Sequence, residues 1–545
     1  MTDTFWRSRA ALAGTAVLVL PAAALAQGTP PATIDPGAIT RGLLEQQRQA
    51  AEPPRVPQEA VTGERVTATD EAPESGGVSF VLNAVTFDPS SFLSTAELEA
   101  LAAPRIGTEV TLADLRAIAA QVNALYAERG IITARAYVPP QRVADGVVRI
   151  ALIEGRLGEL QVAEGRYTSS DYARRRIDLT PGDTVDLMTL RRSVERFNRD
   201  NDARIQAQLQ PGREPGLTDV LISLAEPPRN SAQLFVDTFG YESTGRYQGG
   251  LSLRRNAMLT DGDRLIFYGN LSEGGLTGSA TYSVPIDSAR LGISYARSQV
   301  AVKKGPSASL DIEGFSDTVS LNIARPIGAG DSWYVNAVAG GSYIASTNEL
   351  AGVKVGETEV YRGTIGWAGV FTLTPQAALA VNHTVSLLST QDSLDTEKRT
   401  FAILNADVSL TLALTQSLAL RIGSAGQYTG FDFVPSNQLF QVGGPFSARG
   451  WQPGTTSGRS GFYTQTELQY APKWSALPGL NLFTFLDAGR TYSPDFGSRG
   501  IGSAGLGLRL PVGRFDLEAF YGVPFTSRLP GEDGSRADAR LVLRF

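Results

Sequence analysis

The sequence predicts two architectures in one exported chain, with α+β repeats at the front and an all-β transmembrane barrel of about 16 antiparallel strands behind them. Three observations support this prediction. Glycine is unevenly distributed, with 16 of the 57 glycines in residues 1–228 and 41 in residues 229–545. The front half contains a duplicated unit. The back half alternates apolar and polar residues, which is the period of a strand with two different faces.

The composition excludes several classes of function. A net charge of −6 over 545 residues provides no basic surface for nucleic acid. Cysteine is absent, which excludes disulfides, thiolate metal sites and cysteine nucleophiles. A single histidine, His383, excludes the usual multi-histidine metal sites. No nucleotide-binding loop motif is found. We therefore expect no catalytic residue, no metal and no cofactor.

Residues 1–26 predict a secretory signal peptide. Arg7 and Arg9 precede an apolar run that ends before Pro21, and the segment closes on the A-x-A sequence of residues 24–26. The run of about 11 residues is too short for a membrane-spanning helix, which needs about 20. We expect cleavage after residue 26.

Two segments separate the signal peptide from the first regular unit. Residues 27–51 predict a short helix, with Asp35 as its cap and Pro36 at its first position. Residues 52–77 are rich in Pro, Glu and Thr and lack periodicity, which predicts a flexible linker. The alternative is that both segments form an unstructured tail.

A unit of about 75 residues occurs twice, in residues 78–155 and 156–228. In the first copy, Thr111 and Asp114 form a capping box before an amphipathic helix, and Asp186 takes the capping position in the second. The constant offset predicts a duplicated β-α-α-β-β domain. The matching pairs are Gly107 and Gly182, Val110 and Val185, Leu112 and Leu187, Leu115 and Leu190, and Asn123 and Asn198.

Residues 229–545 predict strands with one apolar and one polar face. The alternation is clear in residues 407–414 and again in residues 514–521. A soluble sandwich would show the same pattern. Export and the lack of a long apolar helix favour a closed barrel, because a barrel satisfies every backbone group in lipid. At about 20 residues per strand and connection, this region accommodates about 16 strands.

The last residues of the chain also suggest a barrel. Leu541, Leu543 and Phe545 alternate with other residues up to the terminal aromatic ring. Such an ending resembles the final strand of bacterial outer-membrane barrels. This resemblance implies a barrel-insertion signal that the outer-membrane barrel assembly machinery recognises, and a surround of outer-membrane lipids.

The order of signal peptide, short helix, linker, two repeats and barrel resembles the TpsB transporters of two-partner secretion, the haemolysin secretion/activation proteins of the ShlB/FhaC/HecB type. The likeness covers nearly the whole mature chain. It implies POTRA domains in the periplasm, a plug helix at residues 27–51 and a barrel at residues 229–545 in a Gram-negative outer membrane. It also implies a monomer that secretes an unfolded TpsA-type exoprotein.

Two local motifs carry this resemblance further. The segment ending in Arg449, Gly450 and Trp451 looks like the V-R-G-Y/F motif of the superfamily, with Ala448 in place of the usual Val. In the family this motif lies in the sixth extracellular loop, which folds back into the lumen. Trp451 stands where the motif has Tyr or Phe, so an aromatic ring is kept at this position. The resemblance therefore implies an inward-folded loop here.

The second motif is F-x-D-x-G, formed by Phe485, Asp487 and Gly489. Strand alternation puts these three residues on one face, which we expect to line the barrel. The resemblance implies that Arg449 pairs with Asp487. Glu467 also faces inward, and we expect it to play a supporting role in the lumen.

Three alternatives remain from the sequence. Assembly factors of the BamA or TamA type share the barrel and both motifs but have longer POTRA arrays. An outer-membrane enzyme would need His383 as its base, yet no G-x-S-x-G motif is present. A passive porin would not need the duplicated front module.

Overall fold

The computed structural model describes residues 39, 61–63, 79–129, 131, 133–214, 217–305, 307–330, 332–393, 397–474, 476–493, 497–526 and 534–545. The predicted signal peptide and most of the predicted plug and linker lie outside these residues. Within the described ranges, no helix has both the length and the apolar character needed to cross a membrane.

The first repeat unit packs two helices against a three-stranded sheet. Residues 80–87 form two short strands, separated at Leu82 and Asn83. The strand at residues 84–87 pairs in parallel with the strand at residues 147–154, and the edge strand at residues 134–137 pairs antiparallel with that same strand. Its elements are β2 (Phe80–Val81), β3 (Ala84–Phe87), α1 (Thr95–Ala102), a 3₁₀ turn (Ala103–Arg105), β4 (Glu109–Val110), α2 (Leu112–Glu128), β5 (Ala134–Tyr137) and β6 (Val147–Glu154).

The second repeat unit follows the predicted β-α-α-β-β order, with one strand where the first unit has β2 and β3 and, among the described residues, no strand that corresponds to β4. Each unit has its own buried apolar core, with Val122 and Tyr126 of α2 in the first and Val194 and Phe197 in the second. The elements of the second unit are β7 (Arg156–Val162), α3 (Ser170–Arg174), α4 (Leu187–Asp200), β8 (Arg204–Pro211) and β9 (Leu217–Ala225).

The matched glycines form the same turn in both units. Gly107 and Gly182 have positive φ angles of 79° and 91°, which glycine adopts without steric cost. Their backbone N–H groups donate to the carbonyls of Leu82 and Leu157, at 2.7 and 2.8 Å. The duplicated glycines therefore preserve a hydrogen bond that ties the turn before the main helix to the first strand.

The matched asparagines join the long helix of each unit to the strand that follows it. The Asn123 amide donates to the Ala136 carbonyl at 3.0 Å and accepts from the Ala136 N–H at 2.6 Å. Asn198 makes the same two bonds with Ile205, at 2.9 and 2.6 Å. Because β5 and β8 are the equivalent strands, the asparagine serves the same purpose in each copy.

The predicted helix starts are also present. Thr111 caps α2 in a capping box with Asp114, and the Asp186 side chain accepts from the Met188 N–H at the start of α4. Leu112, the first residue of α2, is 47% exposed, so it does not belong to the buried face of this helix.

One part of the predicted linker is ordered, which corrects the prediction for those residues. Val61–Gly63 forms a strand, β1, that pairs in parallel with Ala207–Leu209 of β8. β8 would otherwise be the edge of its sheet, with unpaired backbone groups facing outward. An extended segment of any composition can satisfy the backbone N–H and C=O groups of β8, because the bonds are made by main-chain atoms.

Sixteen strands among the described residues close into an antiparallel barrel, which confirms the predicted fold class and excludes the sandwich. The first and last strands pair with Leu234 opposite Leu543. A hairpin of β21 (Phe440–Val442) and β22 (Thr456–Gly458) forms a separate sheet and is not one of the strands of this ring. The barrel strands are β10 (Asn230–Asp237), β11 (Gln248–Asn256), β12 (Arg264–Ser272), β13 (Gly275–Ile286), β14 (Ala289–Ala301), β15 (Ile312–Gly330), β16 (Trp333–Leu350), β17 (Val353–Thr374), β18 (Ala377–Asp392), β19 (Arg399–Ala413), β20 (Leu418–Tyr428), β23 (Ser460–Tyr470), β24 (Asn481–Ser493), β25 (Gly497–Val512), β26 (Phe515–Pro524) and β27 (Arg536–Arg544).

The barrel has an apolar outer face. Ile365, Leu387 and Leu506 are each more than 60% exposed, and they alternate with residues that face the interior. Leu541 and Phe545 of the predicted insertion signal are also exposed, at 39% and 58%. An outward apolar band of this kind is the surface that a lipid-embedded barrel presents.

We predict that replacing either matched asparagine loosens its own repeat unit. Asn123→Ala leaves two backbone groups of β5 unsatisfied and Asn198→Ala leaves two of β8 unsatisfied, each at a cost of roughly 1–3 kcal/mol. Hydrogen exchange of the full chain should then accelerate at β5 in the first variant and at β8 in the second. Gln121→Ala, at an exposed position of α2, is the control. Unchanged exchange at both β5 and β8 would contradict this assignment.

Candidate functional site

The loop between β20 and β23, residues 429–459, folds into the barrel. Its hairpin of β21 and β22 carries a tip that reverses direction at Gly443, Gly444 and Gly450, all with positive φ. Arg449 and Trp451 at this tip are 4% and 1% exposed. A loop that connects two strand ends would ordinarily be solvated, so burial of its arginine requires partners inside the barrel.

The structure brings Arg449 and Asp487 together in a bidentate ion pair. Nε of Arg449 lies 2.8 Å from Oδ2 of Asp487, and Nη2 lies 2.9 Å from Oδ1. The backbone N–H of Arg449 also donates to Oδ2, at 3.0 Å. Asp487 is fully buried, whereas its neighbour Leu486 on the opposite strand face is 54% exposed. The two parallel bonds fix both the position and the orientation of the loop tip.

Glu467 is a second carboxylate partner of the loop arginine. Its Oε2 lies 2.6 Å from Nη1 of Arg449, and its side chain is almost fully buried. Gln469 donates to the other carboxylate oxygen of Glu467, and Gln465 donates to the Pro445 carbonyl of the loop. Glu467 therefore binds the Arg449 guanidinium directly. The sequence predicted only a supporting role for it in the lumen.

Arg509 extends the network and was missed by the sequence analysis. Its Nη1 and Nη2 donate to the two oxygens of Glu467 at 2.6 and 3.1 Å, and its Nε donates to Glu518 at 2.9 Å. Positive and negative groups thus alternate from Arg449 to Glu518. The strand alternation of β25 could have placed Arg509 inside the barrel, but no motif indicates its partner.

Aromatic rings lie beneath both guanidinium groups. The Cζ of Arg449 is 3.9 Å from the centroid of the Phe485 ring, and that of Arg509 is 4.2 Å from the centroid of Phe483. Phe485 packs edge-to-face on Phe520. The Phe of the F-x-D-x-G motif therefore contributes a cation–π contact and limits access of water to the ion pairs.

Glycines allow the loop tip to approach the wall. A Cβ on Gly522 of β26 would lie 2.7 Å from the Cα of Gly450, and a Cβ on Gly489 would lie 2.6 Å from a Val442 methyl. Any side chain at these positions would push the hairpin away. Gly522 was also missed, because nothing in the local sequence shows which strand the loop contacts.

Trp451 anchors the tip on the other side of the ion pairs. Its indole Nε1–H donates to the Gly502 carbonyl at 3.2 Å, and its ring packs with Val442, Ala448 and Ile501. A small Ala448 is fully buried beside this larger ring. The two departures from the V-R-G-Y/F pattern thus occupy one packed cluster.

The structure places His383 away from this network. Its ring lies 5.1 Å from that of Trp367, on the strand face shared by the exposed Val385 and Leu387. In the part of the chain that the structure describes, no three His, Cys, Asp or Glu side chains form a group that could hold a metal.

Comparison with known proteins identifies the family. The haemolysin secretion/activation protein family ShlB/FhaC/HecB matches residues 216–510, more than half of the chain, and the ShlB-type POTRA domain matches residues 80–155. The chain belongs to this family. It is therefore an outer-membrane transporter of the TpsB type, with its POTRA units in the periplasm.

Relatives and solved structures agree with this assignment. The chain is 26% identical to the outer membrane transporter CdiB of Dickeya dadantii, over 76% of this chain and 77% of that protein. It is 25% identical to the heme/hemopexin transporter protein HuxB of Haemophilus influenzae, over 84% and 83%. CdiB from Escherichia coli shares the fold, with a TM-score of 0.69 at 19% identity, over 96% of this chain and all of that one. BamA from Haemophilus ducreyi lacking POTRA domains 1–3 gives 0.51 at 14% identity, over 86% and 99%.

We predict that Arg509 holds Glu467 in position for the loop arginine. Arg509→Ala leaves Glu467 with one cationic partner, so the loop should open more often, although the effect is smaller than loss of Arg449 because a third of the Arg509 side chain is exposed. Faster hydrogen exchange at residues 443–451 measures this opening. Arg544→Ala, which removes a largely exposed ion pair with Asp516, is the control. Equal exchange in the two variants would contradict the prediction.

Proposed function

We propose that this protein is a translocation pore that secretes an unfolded TpsA-type exoprotein through its barrel to the cell surface. The observation that supports this most is that the loop of residues 429–459 obstructs the barrel. A buried network of charged side chains holds the loop in the lumen, and two periplasmic repeat units precede the barrel. No residue performs covalent chemistry in this proposal. Folding of the exoprotein outside the cell is the expected driving force, since the chain lacks a nucleotide-binding loop motif.

The POTRA units receive the exoprotein in this proposal. An extended segment can join a sheet edge through main-chain hydrogen bonds, without any required sequence. The pairing of β1 with β8 is an example of such an addition within the chain itself. β5 is the equivalent edge strand of the first unit.

The predicted plug helix occupies the lumen at rest in this proposal. Ile39 is helical and fully buried, and it packs with Tyr241 and Val300 at the barrel end farthest from the repeat units. The Tyr241 hydroxyl donates to Oε1 of Gln441 in the inward loop, at 2.8 Å. The plug position and the loop are thereby in contact through one side chain.

The remaining proposals concern assembly. Leu541, Leu543 and Phe545 lie on or beside the last strand, and we assign them to recognition by the outer-membrane barrel assembly machinery. The apolar outer band is assigned to outer-membrane lipids. The closed ring of sixteen strands needs no second copy to complete it, which supports a monomer.

Replacing the loop arginine tests the secretion proposal. Arg449→Ala leaves Asp487 buried without its bidentate partner, at a cost of about 3–5 kcal/mol. We expect the barrel to remain inserted and heat-modifiable on gels, while exoprotein release into the medium is lost. Arg459→Ala, which removes an exposed ion pair with Asp432 in the same loop, should secrete normally. Normal release by Arg449→Ala would refute the role of the loop.

Removing the predicted plug tests its place in the pore. Deletion of residues 28–51 should raise single-channel conductance in planar bilayers, because the lumen loses an obstruction. Deletion of residues 64–75 of the predicted linker, which leaves β1 in place, should leave conductance unchanged. Equal conductance of the plug deletion and the intact protein would contradict the assignment.

A further inference from the structure

A large cavity connects the second POTRA unit to the barrel interior. Its volume is about 2800 Å³. The wall on the POTRA side is formed by α3, α4 and β8, and the cavity continues along the barrel strands to Arg449 and Glu467. We call this space the vestibule. Any chain that moves from the POTRA units into the pore passes through it.

The vestibule wall has the opposite charge to the chain as a whole. Among the described residues, thirteen arginines and nine carboxylates line it, whereas the full chain has a net charge of −6. No lysine of the described residues takes part. The described residues that line the vestibule therefore carry a surplus of four positive charges.

Five of these arginines belong to the POTRA unit. Arg196 pairs with Asp178 at 2.6 Å, and Arg199 pairs with Asp200 at 3.0 Å. The remaining three are less compensated. The guanidinium of Arg176 lies 3.6 Å from the centroid of the Tyr172 ring, and among the described residues Arg175 and Arg204 have no ion-pair partner.

The barrel rim adds further positive charge. Arg254 and Arg264 both pair with the carboxylate of Asp202, at 2.5 and 3.4 Å. Burial opposes ionisation of Asp202, but the two guanidinium groups hold the pKa of its carboxyl below its usual range. Arg290 donates to the carbonyls of Asp200 and Gly262 and to the Ser283 hydroxyl, and it forms no ion pair with any described residue.

We propose that the vestibule is a docking and entry site for an anionic stretch of unfolded polypeptide, and that it makes the pore anion-selective. Surplus charge inside a confined, low-dielectric cavity concentrates the electric field at the entrance. Guanidinium groups bind carboxylates through two parallel bonds, which suits arginine and not lysine. The polypeptide part rests on the proposed function, whereas the ion selectivity does not.

Reversal potentials in planar bilayers under a KCl gradient test the selectivity. The intact protein should prefer chloride, and Arg175→Glu/Arg204→Glu should shift the reversal potential towards that of potassium. Arg174→Glu/Arg192→Glu is the matched control, since it changes the charge equally at exposed arginines of the same unit that do not line the vestibule. Equal shifts in the two double variants would overturn the inference.

Model peptides test the occupant. A 20-residue peptide of alternating Glu and Ser, added on the POTRA side, should interrupt the current more often than the matching Lys and Ser peptide. The lining of the Arg175→Glu/Arg204→Glu variant has as many carboxylates as arginines, so this variant should lose the preference for the acidic peptide. Inorganic phosphate at the same total charge should block less than the acidic peptide, because it spans fewer arginines. Equal block by both peptides, or by phosphate, would refute a polypeptide site.

The two proposals fail in different ways. If the intact protein prefers chloride but secretes no exoprotein, the proposed function is contradicted and the ion selectivity of the vestibule is not. A chloride preference that survives in Arg175→Glu/Arg204→Glu would overturn the vestibule inference, even if secretion is normal.

Discussion

A buried guanidinium inside a barrel requires counter-charges, and the rest of this structure is arranged around that requirement. Arg449 lies on a loop, so it can be satisfied only if the loop tip reaches the wall. Asp487 accepts two hydrogen bonds from the Arg449 guanidinium, and Glu467 accepts a third. Since the desolvation cost of one unpaired charge is several kcal/mol, the loop has a strong preference for this single position.

The same network connects the loop to several strands of the barrel. Glu467 lies on β23, Asp487 on β24 and Arg509 on β25, so a displacement of any one strand changes the partners of the others. The bonds are directional, and the glycine contacts at Gly450 and Gly522 leave little room for adjustment. A rearrangement of the pore should therefore be concerted.

Local patterns in the sequence predicted most of the fold. The 75-residue offset identified the duplicated unit because Gly107 and Asn123 make local bonds that recur in the second copy. Period-two alternation predicted the barrel, since the two faces of a strand meet different surroundings. The residues of the loop motif and of F-x-D-x-G also lie together, with Arg449 on Asp487.

Contacts between distant strands were not predictable in this way. Arg509 and Gly522 belong to the site because β25 pairs with β24 and β26 pairs with β25 in the closed ring, and the sequence of one strand does not reveal this. The strand β1 was not predicted, for a related reason. Its pairing with β8 depends on an open edge elsewhere and not on any β-forming pattern in residues 61–63.

The pairing of β1 with β8 has a consequence for the helix that precedes it. Residues 40–60 separate Ile39 from Val61, and a chain of that length spans at most about 75 Å when fully stretched. If the predicted plug helix leaves the lumen as we propose, it remains tethered to the second repeat unit through β1. Its return would then be a unimolecular event at high local concentration, so resealing of the pore would need no capture from bulk solvent.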